Sequence, residues 1–298
     1  MQRQYVLYNP HANNGRGEVQ ARTLEGKLAK NAAEFVDMTK LTDYAQFILS
    51  LDETDKIIIC GGDGTLNRFI NDTANVAISC SVYYYPTGSG NDFAHDVEIA
   101  VGDEPLCIDK YLEDLPKVYV NGMERYFING IGYGLDGYCC EVGDKIRATS
   151  DKSVNYTSIA IKALLFQYKR ANATINIDGV TKEYRKVWIA PTMNGRYYGG
   201  GMMTTPAQNR LNADGKLSLM VFHRSSKLKT LMIFPSIFKG EHVKNKKYVE
   251  IIEGKDVTVK FDRPTSLQID GETVLGVTEY RAVSMKNAPV TQEEPAIV

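Results

Sequence analysis

An apolar strand, Ile57-Ile58-Ile59-Cys60, runs directly into the glycine-rich turn Gly61-Gly62-Asp63-Gly64-Thr65, which is followed by the helical pattern Leu66-Asn67-Arg68-Phe69-Ile70-Asn71. Glycines leave the main chain of the turn open to phosphate, and the N–H groups at the start of the helix supply donors and the positive end of its dipole. Asp63 would repel phosphate unless a cation lay between them, so the turn predicts a nucleotide with Mg2+. An ordinary strand-to-helix turn has the same pattern, so the prediction needs support from elsewhere.

Two further strands end in loops of the same kind. Val82-Tyr83-Tyr84-Tyr85 leads into Pro86-Thr87-Gly88-Ser89-Gly90-Asn91-Asp92, and Tyr5-Val6-Leu7-Tyr8 leads into Asn9-Pro10-His11-Ala12-Asn13. In an open α/β sheet, the loops at the carboxyl ends of neighbouring strands line one crevice, where ligands usually bind. Three loops are therefore expected to meet at one polar site.

The chain changes character near residue 117. Before it, strand and helix patterns alternate: strands are predicted near 4–8, 34–38, 56–60 and 81–86, and helices near 17–30, 42–51, 65–73 and 90–96. After it, β-branched and alternating runs dominate, separated by Asp-Gly and Asn-Gly turn signals. We therefore predict an α/β domain with a parallel sheet, followed by a larger and mostly antiparallel β domain with helical inserts near 151–170 and 226–241.

The order of these motifs resembles the bacterial diacylglycerol-kinase-like lipid kinases. The resemblance rests on Asn9-Pro10, on the two glycine loops above, and on Gly130-Ile131-Gly132-Tyr133-Gly134-Leu135-Asp136, Asn212-Ala213-Asp214-Gly215-Lys216-Leu217 and Gln268-Ile269-Asp270-Gly271-Glu272. It implies the fold shared by NAD kinases and diacylglycerol kinases, with the active site in the cleft between the domains. It also implies that the last strand returns to the first domain, so the domains are expected at 1–117 plus about 279–298, and at 118–278.

The same resemblance implies a magnesium-dependent enzyme that phosphorylates a membrane lipid with ATP, first of all diacylglycerol to phosphatidic acid. Three alternatives stay open: an NAD kinase of the same fold, a kinase for a sphingoid base or another lipid, and a nucleotide-binding regulator without turnover. The identity of the acceptor depends on loops whose residue spacing does not predict which lipid they bind.

Carried over position by position, the resemblance predicts a nucleotide site, a magnesium site and a second, structural Mg2+ site. The nucleotide site comprises Asn9, Pro10, Asn13, Thr39, Gly61, Gly62, Asp63, Gly64, Thr65, Asn67, Gly88, Ser89, Gly90 and Asn91. The acids Asp63, Asp92 and Asp109 are expected to hold the catalytic Mg2+ through water. Asp214, with the carbonyls of Leu211 and Lys216, would hold the second ion. Plainer interpretations are a helix cap for Asp92, a surface acid for Asp109 and an ordinary turn for Asp214.

Phosphoryl transfer also needs a group that accepts the proton of the attacking hydroxyl. Asp270 and Glu272 are the best candidates, since they stand at i and i+2 after a short apolar strand and would then share one face. A simple Asp-Gly hairpin turn has the same sequence. The resemblance implies that this Asp-Gly-Glu supplies the base, so we expect Asp270 in that role with Glu272 assisting, or the reverse.

Composition excludes several classes of protein. The 298 residues are 43% hydrophobic with a net charge of −1, which gives no indication of nucleic-acid binding. No stretch reaches 18 apolar residues, and the start of the chain has no signal-peptide pattern, so we expect a soluble, cytoplasmic protein. The five cysteines have no metal-ligand spacing and are expected to be reduced. A homodimer is left open.

Residues 224–247 carry seven Lys or Arg residues against a single acid, Glu241. Within them lies an apolar set compatible with a helix interrupted by Pro235. Such a basic, amphipathic segment suits the surface of an anionic membrane. A helix that packs on the core with solvated lysines is the alternative. We predict peripheral membrane contact through this segment.

Overall fold

A five-stranded sheet forms the centre of the first domain in the computed structural model, which describes residues 2–28, 33–88, 90–149 and 154–286, with only the backbone of residues 14 and 157. The sheet order is β2-β1-β3-β4-β5, and the first four strands are parallel. Its strands are β1 (Gln4–Tyr8), β2 (Ala33–Asp37), β3 (Lys56–Gly61), β4 (Ser81–Pro86) and the antiparallel β5 (Leu106–Cys107).

The central strand β3 is buried on both faces. Ile57 and Ile59 pack into one apolar cluster and Ile58 and Cys60 into another, on the opposite side of the sheet. In the described part of this domain, six helices lie between or after the strands: α1 (Ala12–Gly15), α2 (Gly17–Arg22), α3 (Tyr44–Leu49), α4 (Asp63–Asp72), α5 (Asp92–Asp96) and α6 (Asp109–Leu112), with a 3-10 turn at Thr23–Gly26. The helix predicted over 17–30 is thus shorter, and residues 29–32 lie outside the described part of the chain.

The second domain is a ten-stranded antiparallel sheet that closes on itself. Its order is β7-β6-β17-β16-β8-β11-β14-β10-β9, with β15 beside β14 and with β9 returning to β16. The strands are β6 (Lys117–Val120), β7 (Met123–Tyr126), β8 (Gly130–Tyr133), β9 (Ala171–Ile177), β10 (Val180–Ile189), β11 (Thr192–Met193), β14 (Leu217–His223), β15 (Val249–Gly254), β16 (Asp256–Ile269) and β17 (Glu272–Val283). A separate ribbon joins β12 (Tyr197–Tyr198) to β13 (Met202–Met203). The predicted fold class, an α/β domain followed by an antiparallel β domain, is confirmed.

Helical segments interrupt the second sheet at the two predicted places and at one place that was not predicted. The helix α7 (Leu135–Thr149) follows β8, and the first insert consists of α8 (Tyr156–Lys162) and a π-helical turn at Ala163–Gln167. The second insert consists of α9 (Lys227–Ile233) and 3-10 turns at Phe234–Lys239 and Glu241–Lys244. Among the residues that the structure describes, no helix is long and apolar enough to cross a bilayer.

The last strand departs from the expectation. β17 pairs with β16 and β6 in the second sheet, whereas the segment 279–298 was predicted to return to the first domain. The physical reason is local: Asp270-Gly271 joins Ile269 to Glu272 as a two-residue hairpin loop, and a hairpin keeps its strands side by side. Residues 287–298 of that prediction lie outside the described residues.

Candidate active site

The two glycine loops of the first domain touch each other main chain to main chain. A Cβ atom placed on Gly88 would lie 2.5 Å from the Cα atom of Gly62, and one placed on Gly62 would lie 3.0 Å from the Cα atom of Gly88. The N–H of Thr87 donates to the carbonyl of Gly61 at 2.9 Å. Only glycine allows the two main chains to approach this closely, which explains why it occupies both positions. The contact brings the ends of β3 and β4 together, as predicted.

Asn91 fixes the second loop from within. Its backbone is left-handed, with φ of +49°, and its amide donates to the carbonyl of Gly88 at 2.7 Å. Its buried Oδ1 has no hydrogen-bond partner among the described residues. Of the loop 88–91, Ser89 lies outside the described residues, so its predicted nucleotide contact stays a prediction.

The loop after β1 reaches the same place, and Thr39 follows the carboxyl end of the neighbouring strand β2. The amide of Asn13 points to the carbonyl of Thr87 at 3.5 Å, and the side chain of Asn9 accepts the N–H of His11 at 2.9 Å, within its own loop beside Pro10. Thr39 is exposed, and both its N–H and its hydroxyl donate to the carboxylate of Asp37. Its predicted nucleotide contact stays a prediction.

Asp63, in the glycine loop after β3, contacts both α5 and the second domain. Its carboxylate accepts the backbone N–H of Asp92 and of Phe93, each at 2.9 Å, and so caps the start of α5. It also accepts the side-chain amide of Asn129 at 2.9 Å, from the residue just before β8. The beginning of α4, where Gly64, Thr65 and Asn67 lie, thus faces the other domain.

Asp92 is held by glycines of the β12–β13 ribbon. Its two carboxylate oxygens accept the N–H of Gly200 at 2.8 Å and of Gly201 at 2.6 Å. Both glycines have positive φ, which turns their N–H groups toward the same carboxylate. Burial, and after it the negative charge of Asp63, raise the pKa of Asp92 to about 7. The side chain therefore does more than cap a helix.

Two carboxylates that repel each other, one buried (Asp92) and one half-buried (Asp63), suit a divalent cation. Mg2+ is commonly bound by one or two carboxylates together with substrate phosphates. Within the described ranges no three His, Cys, Asp or Glu side chains are arranged around one metal position, so Asp63 and Asp92 would share the ion with the nucleotide. The donor chemistry of this pair fits magnesium.

Asp109 is not part of this pair, which corrects the prediction that grouped the three acids. Its carboxylate accepts the N–H of Val82 at 2.7 Å, near the beginning of β4. The loop of Gly88 follows the end of that strand, roughly 13 Å further along at 3.3 Å per residue. The antiparallel strand β5 carries the chain back to the wrong end of the sheet for contact with the loops.

Asp270 is buried at the boundary between the domains. Its Oδ1 accepts the N–H groups of Asn129 and Gly130, both at 2.9 Å, and its Oδ2 accepts the N–H of Ile128 at 2.7 Å and the amide of Asn67 at 2.8 Å. Burial raises the pKa of Asp270 above its ordinary value, although the four donors favour the ionised form. Asn129 thus contacts Asp63 with its side chain and Asp270 with its backbone.

Asp270 and Glu272 do not share a face, contrary to the expectation. Asp270 and Gly271 both have positive φ, +45° and +94°, and form the hairpin loop that was the alternative interpretation. Strand alternation does not hold across such a loop, so Asp270 turns inward and Glu272 outward. Glu272 forms an ion pair with Arg125. The hairpin and the inward carboxylate coexist, so the two interpretations do not exclude each other.

A buried ion-pair cluster joins the domains beside these acids. Asp96 of α5 binds Arg210 at 2.5 Å and Arg196 at 2.7 Å, and the side chains of Asp96 and Arg210 are only 4% and 5% exposed. Arg210 also donates to the carbonyl of Ile128 and to Oδ1 of Asn129, both at 3.1 Å. Because Asn129 contacts both Asp63 and Asp270, Arg210 orients the residue that connects them.

The predicted second magnesium site is not assembled. Asp214 is exposed and lies 3.8 Å from the ammonium of Lys216. The carbonyl of Lys216 already accepts the amides of Asn212 and Gln208, both at 2.9 Å. Side-chain amides thus close the turn and occupy the carbonyl of Lys216, so this carbonyl does not fit a bound Mg2+, while the predicted contact of the Leu211 carbonyl stays a prediction.

Sequence reasoning missed Asn129, Arg210 and Asp96; the glycines Gly200 and Gly201 belong to a stretch that resembles a family loop near the substrate cleft, but their contact with Asp92 was missed. Asn129 had a weak signal, since it is a polar residue between the apolar pair Phe127-Ile128 and a glycine-rich strand. Arg210 had none, because its partner Asp96 lies 114 positions away in the chain. Such pairs are recognisable only once the domains are folded together.

Two family models match the chain. One, described as "Diacylglycerol kinase catalytic domain", covers residues 3–119, and the other, "YegS C-terminal NAD kinase beta sandwich-like domain", covers residues 129–287. Together they span both domains, and the second alone covers more than half of the chain.

Individual relatives agree with these models. "Diacylglycerol kinase" of Mycobacterium tuberculosis is 28% identical over 197 residues, which are 64% of this chain and 62% of that protein, so less than two thirds of its length is matched. "Putative lipid kinase YtlR" of Bacillus subtilis is 24% identical over 94% of this chain and 96% of its own length. The solved structure "Crystal structure of a putative diacylglycerol kinase from Bacillus anthracis str. Sterne" shares the fold, with a TM-score of 0.66, 18% identity and coverage of 96% of this chain and 93% of that one.

Proposed function

We propose an activity for this chain on the premise that it belongs to the bacterial diacylglycerol-kinase-like lipid kinases: it transfers the γ-phosphate of ATP to the hydroxyl of diacylglycerol and produces phosphatidic acid. The observation that carries the proposal is the bridge made by Asn129. Its side chain donates to Asp63 at 2.9 Å and its N–H donates to Asp270 at 2.9 Å. An acid from the nucleotide loops and an acid from the second domain therefore meet at one residue.

The first domain would bind the phosphates. The open main chain at Gly62 and Gly88 and the start of α4 offer donors without obstructing side chains. Asp63 and Asp92 would hold Mg2+, which when bound neutralises the phosphate charge. The raised pKa of Asp92 supports this, because the ionised pair gains most from a cation placed between its members.

Asp270 would accept the proton of the acceptor hydroxyl. As that oxygen bonds to the γ-phosphorus, its proton moves to the carboxylate and the bond from the γ-phosphorus to ADP breaks. Three of the four donors on Asp270 are main-chain N–H groups, and the fourth is the side-chain amide of Asn67. Rotation of Asn67 would free Oδ2 for the hydroxyl, so we assign the acceptor position to the place that this amide occupies.

Glu272 would act indirectly. It is paired with Arg125, whose other nitrogen lies 3.4 Å from Oδ1 of Asn67. The ion pair therefore orients the amide that covers Asp270. In this proposal Asp270 is the base and Glu272 assists through Arg125 and Asn67.

The deciding experiment incubates the protein with γ-labelled ATP, Mg2+ and vesicles that contain diacylglycerol, a sphingoid base or another glycerolipid, with NAD in the same mixture. We expect label in phosphatidic acid. Label in NAD alone would contradict a lipid acceptor, and label in another lipid would contradict diacylglycerol as the acceptor. ATP binding without transfer to any acceptor would leave a nucleotide-binding regulator.

Asp214→Asn serves as the matched control in that experiment. Asp214 is an exposed acid in a closed turn, and within the described ranges no hydrogen bond joins its side chain to Asn129. Its replacement removes the same charge as Asp63→Asn or Asp270→Asn and is expected to leave transfer unchanged. A loss equal to theirs would contradict the assignment of the site.

A further inference from the structure

A cavity of about 350 Å3 lies in the second domain between α7, the end of the first helical insert and the strands β16 and β17. Its walls include Tyr138 and Glu141 of α7, Tyr168 directly after the insert, Arg263 of β16 and Leu275 of β17. None of the residues that line it belongs to the candidate active site described above. The volume is at the lower end of the range in which proteins bind small molecules.

The cavity results from a gap in the pairing of β16. Along one edge, β16 pairs with β9 over residues 257–261 and with β8 over residues 267–269. In the described part of the chain, no strand pairs with residues 262–266 on that edge. The helix α7 covers the gap closely, since a Cβ atom placed on Gly137 would lie 2.1 Å from the carbonyl oxygen of Ser266. A space with polar walls is left beside Arg263.

The guanidinium of Arg263 lacks a counterion in this space. Its Nε atom is buried and has no hydrogen-bond partner among the described residues, and none of their carboxylates forms an ion pair with it. Glu141 is the one acid in the described lining, and it pairs with Lys145 at 2.5 Å instead. A charged group that is withdrawn from water without a partner is costly, so this arginine is prepared for an anion from outside the chain.

The hydroxyl of Tyr168 is a second unsatisfied donor of the same cavity. The residue is only 6% exposed, and within the described ranges its hydroxyl has no hydrogen-bond partner. The guanidinium carbon of Arg263 lies 5.5 Å from the centroid of its ring. Burial raises the pKa of this hydroxyl, against the opposing charge of Arg263, so it remains a neutral donor. A charged donor and a neutral donor are therefore available together.

These donors favour an anion with a single negative charge. A guanidinium presents a fork of N–H groups that fits the two oxygens of a carboxylate or a phosphate. Glu141 repels a second negative charge, because hydrogen bonds from Lys145 and Ser266 lower its pKa and keep it ionised. A carboxylate carries one charge, whereas a phosphate monoester carries about −1.5 to −2 at pH 7.

The remaining walls suit an apolar or aromatic body. The rings of Tyr138 and Tyr168 have their centroids 5.9 Å apart, and Leu275 is 59% exposed where it lines the cavity. The hydroxyl of Tyr138 donates to Oε1 of Gln167 at 3.4 Å, which leaves its ring to contact apolar atoms.

We propose that this cavity binds a small organic acid, with its carboxylate on the guanidinium of Arg263 and the hydroxyl of Tyr168 and its apolar body against Tyr138 and Leu275. The proposal goes beyond the proposed function, because neither the nucleotide loops nor Asp270 takes part in it. A bound acid would connect the end of the first insert with β16, the strand that precedes Asp270.

The test is calorimetric titration of the full chain with acetate, benzoate and hexanoate. Benzamide serves as the neutral counterpart of benzoate, and inorganic phosphate as the more highly charged anion. We expect saturable binding of benzoate and hexanoate, weaker binding of acetate, which lacks an apolar body, and no binding of benzamide.

Two variants locate the site. Arg263→Met and, separately, Tyr168→Phe should each weaken benzoate binding by at least about tenfold, since each removes a hydrogen bond to a charged group. Both should remain folded in urea denaturation, because each loses a polar group that has no partner in the unliganded chain. Arg185→Met is the matched control: it removes an exposed arginine of β10 that does not line the cavity, and it should bind benzoate as the unmodified chain does.

Several results would overturn the proposal. These are no saturable binding of any of the three carboxylates, benzoate binding that Arg263→Met leaves unchanged, and equal binding of benzamide. Binding of phosphate without any carboxylate, lost in Arg263→Met, would overturn the assignment of a carboxylate ligand. Because no phosphate transfer is measured, failure of this proposal leaves the proposed function untouched, and failure of that function leaves this site in place.

Discussion

The acids of the first domain and the acid of the second are held in different ways. Asp63 and Asp92 take their donors from several elements, and burial, followed by the negative charge of Asp63, raises the pKa of Asp92 to about 7. Asp270 takes three of its donors from the single segment 128–130. The negative charge of Asp63 and Asp92 is thus incompletely neutralised, which suits a bound cation. The carboxylate of Asp270, in contrast, has its hydrogen bonds satisfied until one of the donors moves away.

The largest expected effect separates Asp270 from Glu272. Asp270→Asn should lower kcat by about 10^2- to 10^4-fold, because it removes the proposed proton acceptor. ATP binding, measured by calorimetry, should persist, since the glycine loops are intact. Glu272→Gln should cost much less, because it acts through Arg125. If Glu272→Gln were the more damaging change, the roles of the two acids would be reversed.

The next effect tests the first-domain pair. Asp63→Asn should lower kcat by about 10^2- to 10^3-fold and raise the Mg2+ concentration needed for half-maximal rate, since it removes one of two carboxylates that face the ion. Asp109→Asn is its counterpart, because Asp109 lies at the other end of β4. Steady-state rates of both variants, measured over a series of Mg2+ concentrations, check these expectations. Equal magnesium dependence of the two variants would restore Asp109 to the site.

The connection between the two regions can be weakened at Arg210. Arg210→Met should destabilise the protein by about 1.5–3 kcal/mol, since hydrogen bonds to a charged group are lost while Asp96 keeps Arg196. It should also lower kcat, because Asn129 loses its orientation. Urea denaturation and rate measurements check the two parts. Arg68→Met, which breaks the exposed pair with Asp72, should cost only about 0–1 kcal/mol.

Asp92 predicts a pH dependence of stability. Its folded pKa of about 7 exceeds the ordinary aspartate value of 3.8, so between these values the native state binds more protons than the unfolded chain. The free energy of unfolding should therefore fall as pH rises from about 4 to 7, by up to about 1.4 kcal/mol per pH unit. Asp92→Asn should flatten this slope in melting experiments, apart from contributions of the same sign from Asp136, whose pKa burial raises to about 6, and from Asp270, whose pKa burial also raises. An unaltered slope would show that Asp92 does not titrate there.

The smallest effect concerns Thr39. Thr39→Ala should change stability and ATP binding by no more than about 0.5 kcal/mol, since its hydroxyl serves only the neighbouring Asp37 among the described residues. Calorimetric titration with ATP checks this. A tenfold loss of affinity would mean that Thr39 contacts the nucleotide after all.

Much of the first domain was predictable because its signals are local. Ile57 to Cys60 is apolar on both faces of a strand, and the glycines after it demand a turn, so strand, loop and helix follow from neighbouring residues. In a parallel sheet the order of the strands then places loops 61–64 and 86–91 at one edge. Asp109 was misplaced because the short antiparallel β5 reverses that direction, and two residues give no signal of it.

In the second domain, the antiparallel β structure was predictable, whereas the hydrogen-bond partners of its site residues were not. Alternating runs indicated antiparallel strands, and Asp-Gly after Ile269 indicated a hairpin. The local pattern left open whether Asp270 was a plain turn residue or a site residue. Its left-handed backbone turns the carboxylate inward, where the donors come from a segment about 140 positions earlier in the chain.

The amino-acid sequence by itself determined the two sheets, the three loops and the basic inserts, because periodicity, glycine placement and charge act over a few residues. Only the tertiary structure decided which acids meet. Asn129 between Asp63 and Asp270, and Arg210 on Asp96, depend on how two separately folded sheets pack together. That packing sums many weak contacts between distant segments, and no short stretch of the chain encodes it.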